Sequence, residues 1–201
     1  MNPTGVLFDV GNVIVRFEPR ALYSKLFPDP AECDRFLAEV CTQAWHIEHD
    51  RGAAMADTIP ALVARFPHHE EAIRAWRDRA AEMLPEVIVP TVEVIEALAA
   101  RGVPLFAITN MPAEWLAPIT AMSPAFRHFR DIVVSAHHRV IKPDPALFHI
   151  ACARSGMAPS ELLLVDDSAA NIDAARALGF DTHLFHDPAA LRPALQARGL
   201  L

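Results

Sequence analysis

The chain switches between two patterns of apolar and polar positions. Near its start, Val6-Leu7-Phe8 forms a short unbroken apolar run that ends in Asp9, passes Gly11-Asn12, and turns apolar again at Val13-Ile14-Val15. A run that is apolar at every position and too short for a helix predicts a strand buried on both faces, as in a parallel sheet. From Ala21 to about Leu84 the spacing is helical instead. Ala21-Leu22, Leu26, Phe36-Leu37 and Val40 recur at helical intervals, and Asp29-Pro30 has the form of an N-cap with proline at the first helical position. Ile59, Leu62, Val63 and Phe66 mark another amphipathic face, and Ile73, Trp76, Ala80 and Met83 mark one more over residues 69–84. No strand-like run interrupts this block.

From Pro90 onward helix and strand alternate. Thr91 caps a helix carrying Val94, Ile95 and Leu98, which Arg101-Gly102 closes, and Val103 to Ile108 is an apolar strand that stops at Thr109-Asn110. Strands follow at Ile132 to Ser135, at Leu162 to Val165 before Asp166-Asp167, and at Thr182 to Phe185. Helices are expected at Pro145 to Ser155, Ser168 to Leu178 and Pro188 to Arg198. Apolar strands separated by helices predict an α/β fold: a doubly wound, Rossmann-like parallel sheet core with an inserted α-helical cap. The expected division is a core of residues 1–16 and 86–201 and a cap of residues 17–85.

Composition narrows the partners. With 52% hydrophobic and 21% charged residues the chain is globular, and 201 residues suffice for one core domain and a smaller insertion. A net charge of −7, without a cluster of lysine and arginine long enough to follow a phosphate backbone, argues against nucleic acid. Cys33, Cys41 and Cys152 are odd in number and lack metal-ligand spacing, so free thiols in a reducing compartment are expected. The first residues lack the basic and apolar regions of a secretion signal, and no apolar run approaches membrane length, so a cytoplasmic location is expected. Oligomeric state, monomer or dimer, stays open.

The candidate chemistry lies at the strand ends. Asp9 follows the first strand, Thr109-Asn110 the second and Asp166-Asp167 the fourth, while Lys142 lies in VIKPDP just before a helix. Asp9 alone could equally start a turn. If the strands are parallel, however, all of these ends share one rim of the sheet, where ligands of open α/β sheets bind. Carboxylates crowded on one rim repel unless a cation sits among them, and a set of oxygen donors suits Mg²⁺. A metal and Lys142 together would neutralise an anionic substrate, the electrostatics on which phosphoryl transfer depends.

The ordered set FDVGNV, ITN, KPDP and VDDSAANIDAARALG resembles the four motifs of the haloacid dehalogenase-like hydrolase superfamily, and the helical block resembles that family's cap of the subfamily IA type. Within the superfamily the chain is most similar to small bacterial sugar-phosphate phosphatases of the α-D-glucose-1-phosphate phosphatase type. The resemblance implies a Mg²⁺-dependent phosphomonoesterase acting on a small phosphorylated metabolite, with a sugar phosphate as the expected class. It implies Asp9 as nucleophile, forming an aspartyl-phosphate that water hydrolyses. Asp9, the carbonyl of Gly11, Asp167 and Asp166, the last directly or through water, would hold the metal. Thr109, Asn110, Lys142 and the Gly11-Asn12 loop would bind phosphate, with Lys142 lowering the pKa of Asp9 and Asn171 bracing the metal site.

One position departs from the family. Its phosphatases usually place a second aspartate two residues after the nucleophile to protonate the leaving oxygen, and here that position is Gly11. The cap offers His46, Glu48 and His49 as substitutes, or a substrate with a good leaving group, such as an anomeric phosphate, would need none; WHIEHDRG also reads as a solvated helix end stopped by Gly52. Two alternatives stay open: a metal-independent 2-haloacid dehalogenase-type hydrolase, or a catalytically weak small-anion-binding protein. His137-His138 and His68-His69 are expected on loops or surface helices, Asp144 and Asp173 as helix caps or decoration. Trp45, Trp76 and Trp115 are expected to be packing residues, with Trp45 and Trp115 the better placed to stack on a sugar.

Overall fold

The computed structural model describes residues 2–201. Five strands form one parallel sheet: β1 (Gly5–Phe8), β2 (Leu105–Thr109), β3 (Phe129–Val134), β4 (Leu162–Asp166) and β5 (Asp181–Leu184), in the order β3-β2-β1-β4-β5. The chain winds outward from β1 to β3, then crosses back to β4, so the order reverses at β1. That reversal opens a crevice beyond the strands' carboxyl ends.

Strand pleating explains the unbroken apolar runs. Val6 and Phe8 of β1, Leu105 and Ala107 of β2, and Leu163 and Val165 of β4 belong to one core. Leu7, Phe106, Ile108, Leu162 and Leu164, the residues between them, belong to another on the opposite face. A strand with helices on both sides needs both of its faces apolar. The first core receives Val94, Ile95 and Leu98 of α6 (Val89–Ala100) and Leu191 and Leu195 of α11 (Pro188–Gln196). The second receives Leu147, Phe148 and Ala151 of α9 (Pro145–Ser155) and Ile172 and Ala175 of α10 (Ala169–Ala177). Two short helices, α7 (Leu116–Ala121) and α8 (Ser135–His138), flank β3 in sequence.

The inserted cap is all helical: α1 (Arg20–Leu26), α2 (Pro30–Glu39), α3 (Gln43–Asp50), α4 (Met55–Arg65) and α5 (Glu70–Asp78). Asp29 caps α2 as expected, its carboxylate accepting from the N–H of Ala31. The single helix expected over residues 69–84 is instead broken: α5 stops at Asp78, and Ala80–Met83 is a 3₁₀ turn. Leu22, Tyr23, Phe36, Ile59, Ile73 and Trp76 give the cap an apolar centre continuous with the first core. The chain leaves and rejoins the sheet domain along two antiparallel segments, joined by Ile88 N–H to Ile14 O (2.8 Å), Arg16 N–H to Glu86 O (2.9 Å) and Glu18 N–H to Met83 O (2.8 Å). Among the described residues, no helix is long and apolar enough to cross a membrane.

Candidate active site

Parallel pairing brings the polar strand ends together. Phe8 pairs with Val165 in register, and the N–H of Asp9 donates to the carbonyl of Val165 (2.8 Å), so Asp9 emerges beside Asp166. Thr109 ends the neighbouring β2. Asp9, Asp166 and Asp167 each offer a carboxylate oxygen within 4.8 Å of the others. Such a cluster of hard oxygen donors fits a small divalent cation.

Lys142 reaches the same point from the loop before α9. Its Nζ lies 2.8 Å from Asp9 Oδ2 and 2.7 Å from Asp166 Oδ2, and donates to the carbonyl of Ile108 (3.1 Å). The side chain of Asn110 holds that loop by its main chain: Nδ2 donates to Lys142 O (3.0 Å), and Oδ1 accepts from Lys142 N–H (2.7 Å). With its side chain engaged there, Asn110 has its backbone amide to offer a phosphate oxygen. Asp166, fully buried, is saturated. Besides Lys142, its oxygens accept from Ser168 N–H (2.9 Å) and from Asn171 Nδ2 (2.9 and 3.1 Å). The expected brace at Asn171 thus acts on Asp166. Asp167 is half-buried and more open.

Lys142 does lower the pKa of Asp9, as expected, but burial together with the neighbouring carboxylates outweighs it. Burial of Asp9, 7% exposed, pushes its carboxyl up, Lys142 pulls it down, and Asp166 and Asp167 push it up again, to about 7 in all. One ammonium among three carboxylates leaves a surplus of negative charge. For Lys142, burial opposes the charge, but Asp166 and Asp9 outweigh it and hold its pKa above the ordinary lysine value. The Asp167 carboxyl is also raised, by burial first and then by Asp166.

The Gly11-Asn12 turn frames the other side. Asn12 takes the left-handed conformation (φ 55°), which asparagine tolerates, and its Oδ1 accepts from the N–H of Phe17 (3.1 Å). It also hydrogen-bonds Asp167, which counteracts the upward shift there. Gly11 is not forced by space: a Cβ at that position would have nothing within 4 Å. Asp9, Gly11, Asn12, Thr109, Asn110, Lys142 and Asp167 all line one cleft of about 480 Å³.

The cap side of this cleft differs from the solvated helix end expected for WHIEHDRG. His49 is fully buried and turned to Thr58 Oγ1 (2.7 Å), Glu48 is exposed, and neither lines the cleft. His46 and Asp50, one helical turn apart on α3, do line it. His46 packs among Phe17, Trp115 and Trp76, with ring centroids 5.3, 5.4 and 5.3 Å away. Asp50 was not among the expected site residues. Its position in an i,i+4 pair with His46 was the available signal. Trp115 also lines the cleft, whereas Trp45 and Trp76 do not. His137 and His138 end α8 outside the cleft, and His68-His69 fall in a 3₁₀ turn. Asp144 caps α9, and Asp173 pairs with Arg176 at the surface.

The family model for haloacid dehalogenase-like hydrolases matches residues 3–179. The chain belongs to the haloacid dehalogenase-like hydrolase family. Among its relatives, the phosphoglycolate phosphatase of Pectobacterium atrosepticum is 26% identical over 182 residues, which cover 87% of this chain and 76% of that protein. The phosphoglycolate phosphatase of Escherichia coli K12 is 32% identical over 87 residues, 43% of this chain but only 34% of the enzyme. A solved structure of a haloacid dehalogenase-family enzyme from Bacteroides thetaiotaomicron, in complex with magnesium and inorganic phosphate, superposes with a TM-score of 0.67 at 17% identity, covering 94% of this chain and 98% of that one. As a haloacid dehalogenase-like hydrolase, the chain carries the family's sheet domain and an inserted helical cap, and its polar strand ends meet in the cleft between them.

Proposed function

We propose that this hydrolase is a Mg²⁺-dependent phosphomonoesterase acting on a small phosphorylated metabolite, with sugar phosphates the favoured class. The observation that carries this reading is the cluster of Asp9, Asp166 and the half-buried Asp167, with Lys142 paired to the first two, which combines a nucleophile with donors suited to a divalent cation. A 2-haloacid dehalogenase would need no such cluster. We take residues 17–85 as the cap and residues 1–16 and 86–201 as the catalytic core.

Mg²⁺ would be held by Asp9, Asp167 and the carbonyl of Gly11, with the saturated Asp166 bearing on it indirectly. When bound, it supplies the positive charge that three carboxylates and one ammonium lack, and screens the phosphate from the attacking carboxylate. An Asp9 oxygen attacks phosphorus and becomes the aspartyl-phosphate. Thr109, the amide of Asn110 and Lys142 hold the phosphate oxygens, and the Gly11-Asn12 turn closes the other side. Phe17, Gln43, His46 and Trp115 also line the cleft. An apolar wall with a few polar groups suits a small metabolite. The free cysteines fit the reducing cytoplasm.

The test is phosphate release from a panel of sugar phosphates and p-nitrophenyl phosphate, with Mg²⁺ and with a chelator, for the wild type and Asp9→Asn. Release that requires metal and vanishes in Asp9→Asn supports the proposal. No release from any ester, with halide lost from a 2-haloacid in the absence of metal, would replace it with the dehalogenase reading.

A further inference from the structure

We propose that Asp50, on the cap, is the proton-transfer residue of this site, taking the place of the acid missing at position 11. The inference rests on the phosphomonoesterase reading. It starts from an unspent group. Asp50 is only 5% exposed and lines the cleft that holds Asp9, and its Oδ1 has no hydrogen-bond partner among the described residues. A buried carboxyl without partners is costly to maintain, and when found in a cleft it points to function.

Three features hold Asp50 at that spot. Its carbonyl accepts from Ser135 Oγ (2.6 Å), and the same oxygen of Ser135 accepts from Met111 N–H (3.0 Å). The end of α3 is thus tied to the loop that carries Thr109 and Asn110. Gly52 permits this approach: at φ +90°, its missing Cβ would fall 2.6 Å from the carbonyl of Ala136. Asp50 therefore sits where the cap is anchored to the sheet domain.

The charged and titratable groups facing Asp50 are few. On its own helix, His46 Nε2 lies 3.6 Å from Asp50 Oδ1; from the sheet domain, Lys142 is near enough to favour the carboxylate. Burial outweighs Lys142 and raises the Asp50 carboxyl to about 7, so near neutrality it has a proton to give and can take one back. Burial drives His46 down to about 4, so its imidazole stays neutral. His46 therefore puts no cation beside Asp50 near neutral pH.

As an Asp9 oxygen bonds to phosphorus, the ester P–O bond breaks, its electron pair stays on the leaving oxygen, and that oxygen takes the proton from Asp50. The Asp50 carboxylate then takes a proton from water while the water oxygen bonds to phosphorus. The bond between phosphorus and Asp9 breaks, its electrons return to the Asp9 carboxylate, and inorganic phosphate leaves with Asp50 again protonated.

The experiment compares kcat/KM for the best non-anomeric alkyl phosphate and for p-nitrophenyl phosphate in wild type, Asp50→Asn and the double variant Gly11→Asp/Asp50→Asn. An alkoxide needs a proton to leave, whereas p-nitrophenolate does not. In Asp50→Asn, kcat/KM for the alkyl ester should fall by about 10²–10⁴-fold, the usual worth of a positioned acid, and for p-nitrophenyl phosphate by less than about tenfold. Because kcat/KM stops at the first irreversible step, lost water activation should appear only in kcat. Position 11 has room for an acid, so Gly11→Asp should restore at least part of the alkyl-ester rate. Equal losses on both esters, or no loss, would overturn the role of Asp50 while leaving the phosphatase reading intact. No phosphate release by wild type from either ester would overturn both.

Discussion

Replacing Lys142 with methionine removes the ammonium and keeps most of the side chain's length. Nζ lies 2.7 Å from Asp166 and 2.8 Å from Asp9, and the side chain is 1% exposed. Removing one partner of a buried ion pair costs about 3–5 kcal/mol, because the charge left behind is uncompensated. Here one ammonium serves two carboxylates, so the upper part of that range, about 4–5 kcal/mol, is expected for metal-free protein near pH 8. That is a large share of the roughly 5–15 kcal/mol that holds a typical domain together. The deficit has a definite pH dependence. Lys142 opposes the upward shift of Asp9, so without it the Asp9 pKa rises further above its unfolded value. The folded variant then keeps its proton to higher pH than folded wild type. A contribution of that sign is full at low pH and lost as pH rises through the folded pKa, so the variant's deficit should be greatest near pH 8 and shrink toward about pH 5. Urea unfolding followed by circular dichroism in the presence of a chelator, at both pH values, measures it. A deficit under about 1 kcal/mol at both, the size of a surface pair, would refute the idea that this ammonium holds the site's carboxylates together.

Other perturbations follow from the same contacts. Between about pH 4 and 6.5, folded Asp50 keeps a proton that the unfolded chain releases, while folded His46 refuses one that the unfolded chain takes up. The first lowers stability as pH rises and the second increases it. Asp50→Asn should therefore make metal-free stability climb more steeply with pH across this window, and His46→Asn less steeply, by up to about 1.4 kcal/mol per pH unit; parallel urea-midpoint curves for wild type and both variants would contradict this. Gly52→Ala forces a strained conformation and a clash with the carbonyl of Ala136, so a loss of about 1–3 kcal/mol in thermal or urea unfolding is expected, and an unchanged midpoint would argue against close packing of α3 on α8. Asn171→Ala deletes both bonds to Asp166 and should weaken Mg²⁺ binding about 10–100-fold by calorimetry; unaltered affinity would mean that Asp166 needs no such support.

The sheet domain was legible because its signals are local. Asp9, Thr109 and Asp166 each stand where an apolar run stops, and parallel pairing gathers such stops on one rim. The edge strand β3 was placed only in part: expected from Ile132, it begins at Phe129, because Arg130 and Asp131 break the apolar pattern at a partly exposed edge where Asp131 pairs with Arg154. The cap was legible as helices but not as chemistry. Helical spacing shows which residues share a face, and it leaves open what that face meets. Glu48, Asp50, Arg51 and Gly52 have the composition of a solvated terminus. What ties Asp50 down is Ser135, 85 positions away, which bonds its carbonyl, together with a backbone approach that only glycine allows. Position 11 can thus lack an acid while the cleft keeps a carboxyl, since Asp50 comes from a segment that the local pattern does not connect to it. Asp9, Thr109 and Asp166 stand at neighbouring strand ends, and Lys142 on the loop just before α9, so they stay readable as an ordered set. A proton donor needs only to reach the leaving oxygen, and any element lining the cleft can deliver it. In this chain, with glycine two positions after Asp9, the acid to test is therefore Asp50, on the cap helix tied to Met111 through Ser135.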